Sequence, residues 1–211
     1  MSNVKTFRSP GADPGQLPNL GRRAEENLEY IRSTIESGIK FTAVPGYGGI
    51  LMGLTAIATA YLASAAADFY YWLIYWIFAA ALAITIGILA MWRKAARCGQ
   101  PLLTLSARKF ALGFAPAIIA ACMLTALLAH YSNRALLAIS WVSLYGAAVA
   151  AGGAFSVKPV QVMGWSFIIA GLAAGLLFLL KTAINGDLIM ALCFGVLHIV
   201  FGAVIARNYG G

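Results

Sequence analysis

An all-α, polytopic membrane fold is what this 211-residue chain predicts, with six transmembrane helices paired as three antiparallel hairpins behind an N-terminal cytoplasmic amphipathic helix. Three observations carry that reading. The residues are 61% hydrophobic and only 10% charged, the reverse of a soluble domain. Six apolar stretches fill the chain from Thr42 to Ala206, each near the roughly 20 residues that cross a ~30 Å hydrocarbon core at ~1.5 Å rise. Backbone in hydrocarbon must satisfy its own polar groups, and stretches this long do so as helices. Third, lysine and arginine collect on one side of the spans. The formal charge of +8 therefore reports membrane orientation; the cations flank spans instead of forming a patch interleaved with aromatics, so no nucleic-acid partner is expected.

The spans run Thr42 to Ala66, Phe69 to Trp92, Phe110 to Ala129, Ala135 to Val157, Val160 to Leu180 and Asp187 to Ala206. The fourth is the least apolar, holding Ser140, Ser143, Gly152, Gly153 and Ser156, and its insertion leans on Leu136, Leu137, Ile139, Trp141, Val142 and Leu144. Pro116, inside the third span, lacks a backbone donor and predicts a kink. Pro45 and Pro159 fall at helix starts, where proline is tolerated. Thirteen Lys and Arg residues lie before span one, between spans two and three, at Lys158 and at Arg207, against Arg134 and Lys181 on the other side. Such a bias places both termini in the cytoplasm. Aromatics agree: Tyr47, Trp92, Phe110 and Trp165 gather near the inner interface, and Phe69, Tyr70, Tyr71, Trp72 and Tyr131 near the outer one.

Four segments follow: a flexible polar tail at 1–21 with Pro10, Pro14 and Pro18 and no apolar signal-peptide core, an amphipathic helix at 22–40, the membrane domain at 42–206 and a tail at 207–211. Cys98, Cys122 and Cys193 suggest no disulfide framework.

Comparing outward-going spans, Gly46-Tyr47-Gly48-Gly49-Ile50-Leu51-Met52-Gly53-Leu54-Thr55-Ala56 lies beside Gly164-Trp165-Ser166-Phe167-Ile168-Ile169-Ala170-Gly171-Leu172-Ala173-Ala174, with Gly113-Phe114 a fainter echo in span three. Asp68 and Asp187 stand at equivalent outer turns. The pattern predicts a parallel duplication of helical hairpins. Gly49 with Gly53, and Gly171 with Gly175, are spaced four apart and form candidate packing or oligomer faces.

In the arm, Ala24, Leu28, Ile31, Ile35 and Ile39 recur every three or four residues, while Arg22 with Glu26, Arg32 with Glu36 and Glu36 with Lys40 pair on the opposite face. Leu28, Ile31, Ile35 and Ile39 form a candidate partner face, turned either to the chain's own bundle or to another protein. Four glutamates distinguish the arm from the Lys-rich helices that anionic lipid alone favours.

The run Glu26-Asn27-Leu28-Glu29-Tyr30-Ile31-Arg32-Ser33-Thr34-Ile35-Glu36, followed by Phe41-Thr42-Ala43-Val44-Pro45-Gly46-Tyr47-Gly48-Gly49, resembles the start of a family of uncharacterised bacterial six-helix inner-membrane proteins. That resemblance covers about thirty residues and implies a bacterial inner-membrane location with no activity to transfer. The Gly-aromatic openings also resemble, more faintly, the bacterial acid-resistance membrane proteins built of two-helix repeats, from which the charged arm departs.

His198 is the sharpest polar feature within a span and a candidate functional residue, since a polar group in hydrocarbon needs a partner. A neighbouring hydroxyl or carbonyl is its simplest partner. A bis-histidine haem is not expected, because His130 ends span three at the outer face and His198 lies on the order of 16 Å deeper at ~1.5 Å per residue. Seven aromatics crowd Phe69 to Phe78, and Trp72, Tyr75 and Trp76 form a candidate patch for a flat ligand, with the interfacial belt as the plainer explanation. Asp68, Arg134, Lys181 and Asp187 read as solvated outer caps.

The sequence holds no Cys/His metal spacing, phosphate loop or compact Ser/His/Asp set, so neither an enzyme nor a resident cofactor or metal is expected. The expectation is a noncatalytic accessory or regulatory membrane component, its arm coupling a small helical bundle to a partner, within the lipid bilayer and as part of a larger membrane complex or a homo-oligomer. A small transporter or channel is the alternative, and a pigment- or quinone-binding protein a third.

Overall fold

A computed structural model describes residues 17–38, 41–99, 101 and 103–210. Two compact units divide the chain, the first ending at Ile39. Its helix α1 (Leu17–Gly38) begins before the expected start at Arg22, inside the stretch expected to be a flexible tail. Pro18 falls in the first turn, where a missing N–H leaves no bond unmade. Arg22 and Glu26 pair at 3.5 Å on an exposed face. Leu28 and Ile31 are exposed as well. Ile35, Ile39 and the other two expected charge pairs lie outside the residues whose side chains are described.

The second unit holds α2 (Gly46–Ser64), α3 (Phe69–Arg97), α4 (Leu105–Ala129), α5 (Arg134–Gly153), α6 (Lys158–Leu179) and α7 (Gly186–Tyr209). All six are long and apolar enough to cross a membrane, which makes the chain a polytopic helical membrane protein. Two helices outrun the hydropathy-based boundaries by about five residues. α3 continues past Trp92 because Lys94 and Arg97 suit the negative end of the helix dipole, and α4 starts at Leu105 because Thr104 Oγ1 accepts from the Ala107 N–H at 3.1 Å. α4 continues through Pro116.

Every hairpin turn at the end opposite the cationic connections finishes in an N-cap. Asp68 accepts from the Tyr70 N–H at 2.7 Å, Asn133 from Leu136 at 3.0 Å and Asn185 from Asp187 at 2.9 Å. The structural counterpart of Asp68 is therefore Asn185, and the expected equivalence of Asp68 with Asp187 is corrected: Asp187 sits inside the first turn of α7.

Packing follows the glycines more than the chain connections. α2 lies between α3 and α7, while α5 lies between α4 and α6. α6 and α7, expected as a hairpin pair, are joined in sequence but their backbones approach little, because the glycines of α6 face α5, whereas Gly195 and Gly202 of α7 face α2. A Cβ on Gly46 would strike the Ala206 backbone, and one on Gly164 the Ala150 backbone. A Cβ on Gly202 would meet Ile50 N at 2.7 Å and Gly46 O at 2.8 Å; on Gly146 it would meet Ile168 N at 2.7 Å and Gly164 O at 3.0 Å. Gly46 and Ile50 stand opposite Gly164 and Ile168 in the sequence comparison. The α2/α7 and α6/α5 seams are thus the same contact made twice, as a ring of three hairpins requires when α7 closes on α2 just as α5 closes on α6.

The third such seam, between α3 and α4, is open. These two helices barely meet, and the hydrophobic stretch of α4 buries no residue within the protein. At the cationic end the lead-in segment Phe41–Pro45 joins both sides of the unit. The Phe41 N–H donates to Phe155 O at 2.8 Å, Ser156 Oγ donates to Phe41 O at 2.7 Å, and the Phe41 ring packs on Phe110 at 5.4 Å. Lys94 Nζ donates to Val44 O at 2.9 Å and to Gly210 O at 2.7 Å, pinning α3 to the start of α2 and the end of α7.

Candidate functional site

Midway along α7 the backbone widens into a π-helix over Ala191–Leu197, and His198 follows at once. Extended π turns are uncommon and recur near functional sites. The residue that follows this one is His198, 5% exposed, whose Nε2 lies 2.8 Å from the Tyr145 hydroxyl of α5. Three further rings close around the pair. Tyr145 stands 5.0 Å from both Phe167 and Phe194, and Phe167 stands 5.3 Å from Phe194 and 5.5 Å from His198. Phe114 of α4 meets Tyr145 edge-on at 6.1 Å.

The imidazole is only half satisfied. Nδ1 is buried without a hydrogen bond, the single such side-chain atom among the described residues, and the Cys193 and Phe194 carbonyls approach the ring without closing a bond of good geometry. If Tyr145 donates to Nε2, the Nδ1–H has the Cys193 and Phe194 carbonyls as its nearest acceptors; if Nε2–H donates to Tyr145, Nδ1 lacks a donor. A buried unmade bond costs about 1–3 kcal/mol. The neighbouring hydroxyl expected from the sequence is Tyr145. No group of three His, Cys, Asp or Glu side chains able to hold a metal occurs among the described residues.

A second buried polar cluster lies at the end of the bundle away from the cations. Asp187 Oδ1 accepts from Trp72 Nε1 at 2.6 Å and from Trp76 Nε1 at 3.2 Å. Trp72 stacks on Trp141 of α5 at 5.7 Å, and Trp141 Nε1 donates to Thr125 Oγ1 of α4 at 2.7 Å. The Arg134 guanidinium lies 5.9 Å from the Trp72 ring and donates to Ala66 O at 2.6 Å, capping the chain just beyond α2. Five helices are thereby stitched together. Asp187 is 8% exposed, so its assignment as a solvated cap is corrected. Two indole donors and its position in the first turn of α7 hold the carboxylate inside.

The expected flat-ligand patch divides. Trp72 and Trp76 are buried with both indoles committed to Asp187, whereas Tyr75 is 42% exposed on another face. Gly49 and Gly53 face α7, and Gly171 faces Ser143 of α5, so these glycines form seams within the chain. Gly175 makes only ordinary contact with Ile139, at 3.7 Å. An open groove of about 560 Å³ near Asn133, Phe178, Lys181 and Ile184 contains none of the predicted site residues.

Sequence reasoning missed Tyr145 as the partner of His198, and the Trp–Asp cluster. The only local hint of the latter was an acid and an aromatic run placed at the same membrane depth.

No protein-family model matches the chain, no curated protein is similar to it, and no solved structure matches it. What stands is a polytopic membrane protein of six spanning helices, and the family likeness drawn from the arm assigns it to no family.

Proposed function

We propose that the chain is a noncatalytic component of a bacterial inner membrane, with both termini cytoplasmic, in which the bundle anchors an arm that engages a partner protein. The observation that carries this reading is α1 itself. It belongs to a unit of its own and leaves Leu28 66% and Ile31 52% exposed on a helix with charged residues on its other faces. Apolar side chains presented by a charged helix are the anchor pattern of helix-in-groove recognition. Deleting residues 22–40 tests it: gentle crosslinking in native membranes captures a stoichiometric partner with the intact chain and loses it with the deletion, while the bundle stays folded. Equal capture by both chains refutes the reading.

A second reading, a small carrier or channel, is favoured by one observation, the half-satisfied His198 beside a π-helix in the heart of the bundle. Solute flux through liposomes holding the purified protein alone, abolished by His198→Phe, supports it.

A further inference from the structure

We infer that the open seam between α3 and α4 seats an anionic diacyl phospholipid whose phosphate is held by Arg93, Arg97, Arg108 and Lys109. Two of the three hairpin seams are closed by glycine contacts at matched positions. The third cannot close that way, because Gly113 of α4 is committed to α5, where its Cβ would lie 3.1 Å from the Ala151 carbonyl. Both helices keep large apolar side chains exposed at membrane depth, among them Trp92 on α3 and Leu112 on α4. In a bilayer such a gap fills with acyl chain.

The charges at its mouth select the headgroup. Arg93 and Arg97 end α3, and Arg108 and Lys109 lie in the first turns of α4. None of the four has an ion-pair partner among the described residues, and no acidic residue occurs between Asp68 and Asp187. Lys94, the fifth cation of this region, is withdrawn to the Val44 and Gly210 carbonyls. The lead-in segment Phe41–Val44 is bonded to α3 through Lys94 and packed on α4 through Phe110, so one short segment ties the two basic helix ends together. Uncompensated guanidinium groups beside the positive N-terminus of a helix match a phosphate at the membrane surface. This inference concerns the bundle and does not depend on what the arm binds.

The test uses purified full-length protein incubated with equal amounts of phosphatidylglycerol and phosphatidylcholine and read by native mass spectrometry. Phosphatidylglycerol is expected to be retained about tenfold over phosphatidylcholine, Arg97→Gln/Arg108→Gln to cut that preference at least about fivefold, and Lys158→Gln/Arg207→Gln, at the same end of the bundle, to leave it within about twofold. Equal retention of the two lipids overturns the inference, as does an equal loss in both double variants, which is the mark of diffuse surface charge. Should the first variant fail to fold, a benzophenone on the exposed Cys98, in a Cys122→Ala chain with otherwise unaltered charges, gives a second reading in native membranes. A photo-adduct of phospholipid mass supports the seat; an adduct to a polypeptide, or no adduct, overturns it.

Discussion

Gly53→Ala and Gly175→Ala are the same chemical change on similar apolar helices, yet opposite outcomes are expected. A Cβ at Gly53 lies 2.6 Å from Gly195 O and 3.0 Å from Ile199 N, both backbone atoms of α7. Backbone cannot rotate aside, so α2 and α7 must separate along the seam, at an overpacking cost of about 1–3 kcal/mol. A Cβ at Gly175 meets only Ile139 Cγ2 at 3.7 Å, ordinary contact. Both variants gain roughly 1 kcal/mol of helix propensity, which dominates at Gly175 and is overridden at Gly53. The propensity gain is common to both, so the two should differ by about 1–3 kcal/mol, roughly 5- to 160-fold in the unfolding equilibrium. Gly171→Ala belongs between them, because its clash is with the Ser143 hydroxyl, a side chain with other rotamers. The assay is reversible unfolding by sodium dodecyl sulfate in mixed micelles, followed by helical circular dichroism. Equal stabilities for the Gly53 and Gly175 variants would refute the α2/α7 seam.

Asp187→Ala strands two buried indole N–H groups and should cost about 2–4 kcal/mol, whereas Asp187→Asn keeps an acceptor and should cost less; comparing the midpoints of the same detergent titration checks this. Lys94→Met keeps the buried stem but leaves the Val44 and Gly210 carbonyls without their donor, so a loss of about 1–3 kcal/mol is expected together with faster carboxypeptidase trimming at the α7 end. Tyr145→Phe leaves both nitrogens of His198 without a partner and should destabilise by about 1–3 kcal/mol, while Tyr145→Phe/His198→Leu should regain most of that loss; a double variant worse than the single would contradict the hydrogen bond.

The architecture was legible because hydropathy is a local property. A stretch such as Val160 to Leu180 has one favourable solution in lipid, and α6 occupies Lys158–Leu179. The glycine seams were half legible: the likeness of Gly46 to Gly164 and of Gly53 to Gly171 marks faces that do touch a neighbour, but which neighbour depends on tertiary packing. Sequence proximity favoured α7 for α6, whereas backbone approach gave α6 to α5 and α7 to α2. The polar clusters were least legible. Trp72 and Asp187 stand far apart in the chain, and a tryptophan at an interface reads as a lipid anchor whether or not its indole has found a carboxylate. Charge counting likewise failed for Asp187, since it weighs which side of the membrane a residue occupies and not whether a helix folds over it.

The repeat explains why His198 stands out as more than a buried polar residue. Gly202 of α7 and Gly146 of α5 make the same contact in their respective seams, so one turn earlier His198 corresponds to Val142, and one residue earlier Phe201 corresponds to Tyr145. Each copy thus replaces an apolar residue of the other by a polar one, at different positions, and the two replacements meet at 2.8 Å. The π-helix is confined in the same way, present before His198 and absent from α5. Packing alone needs neither departure, because Val142 is fully buried and Phe201 packs against the core where their counterparts stand. Burying Nδ1 of His198 without a bond of good geometry costs about 1–3 kcal/mol where the repeat itself supplies an apolar residue. The His198–Tyr145 pair is therefore the point where the two copies of the repeat depart most in polarity, and the flux measurement with His198→Phe reads whether that departure matters to the bundle.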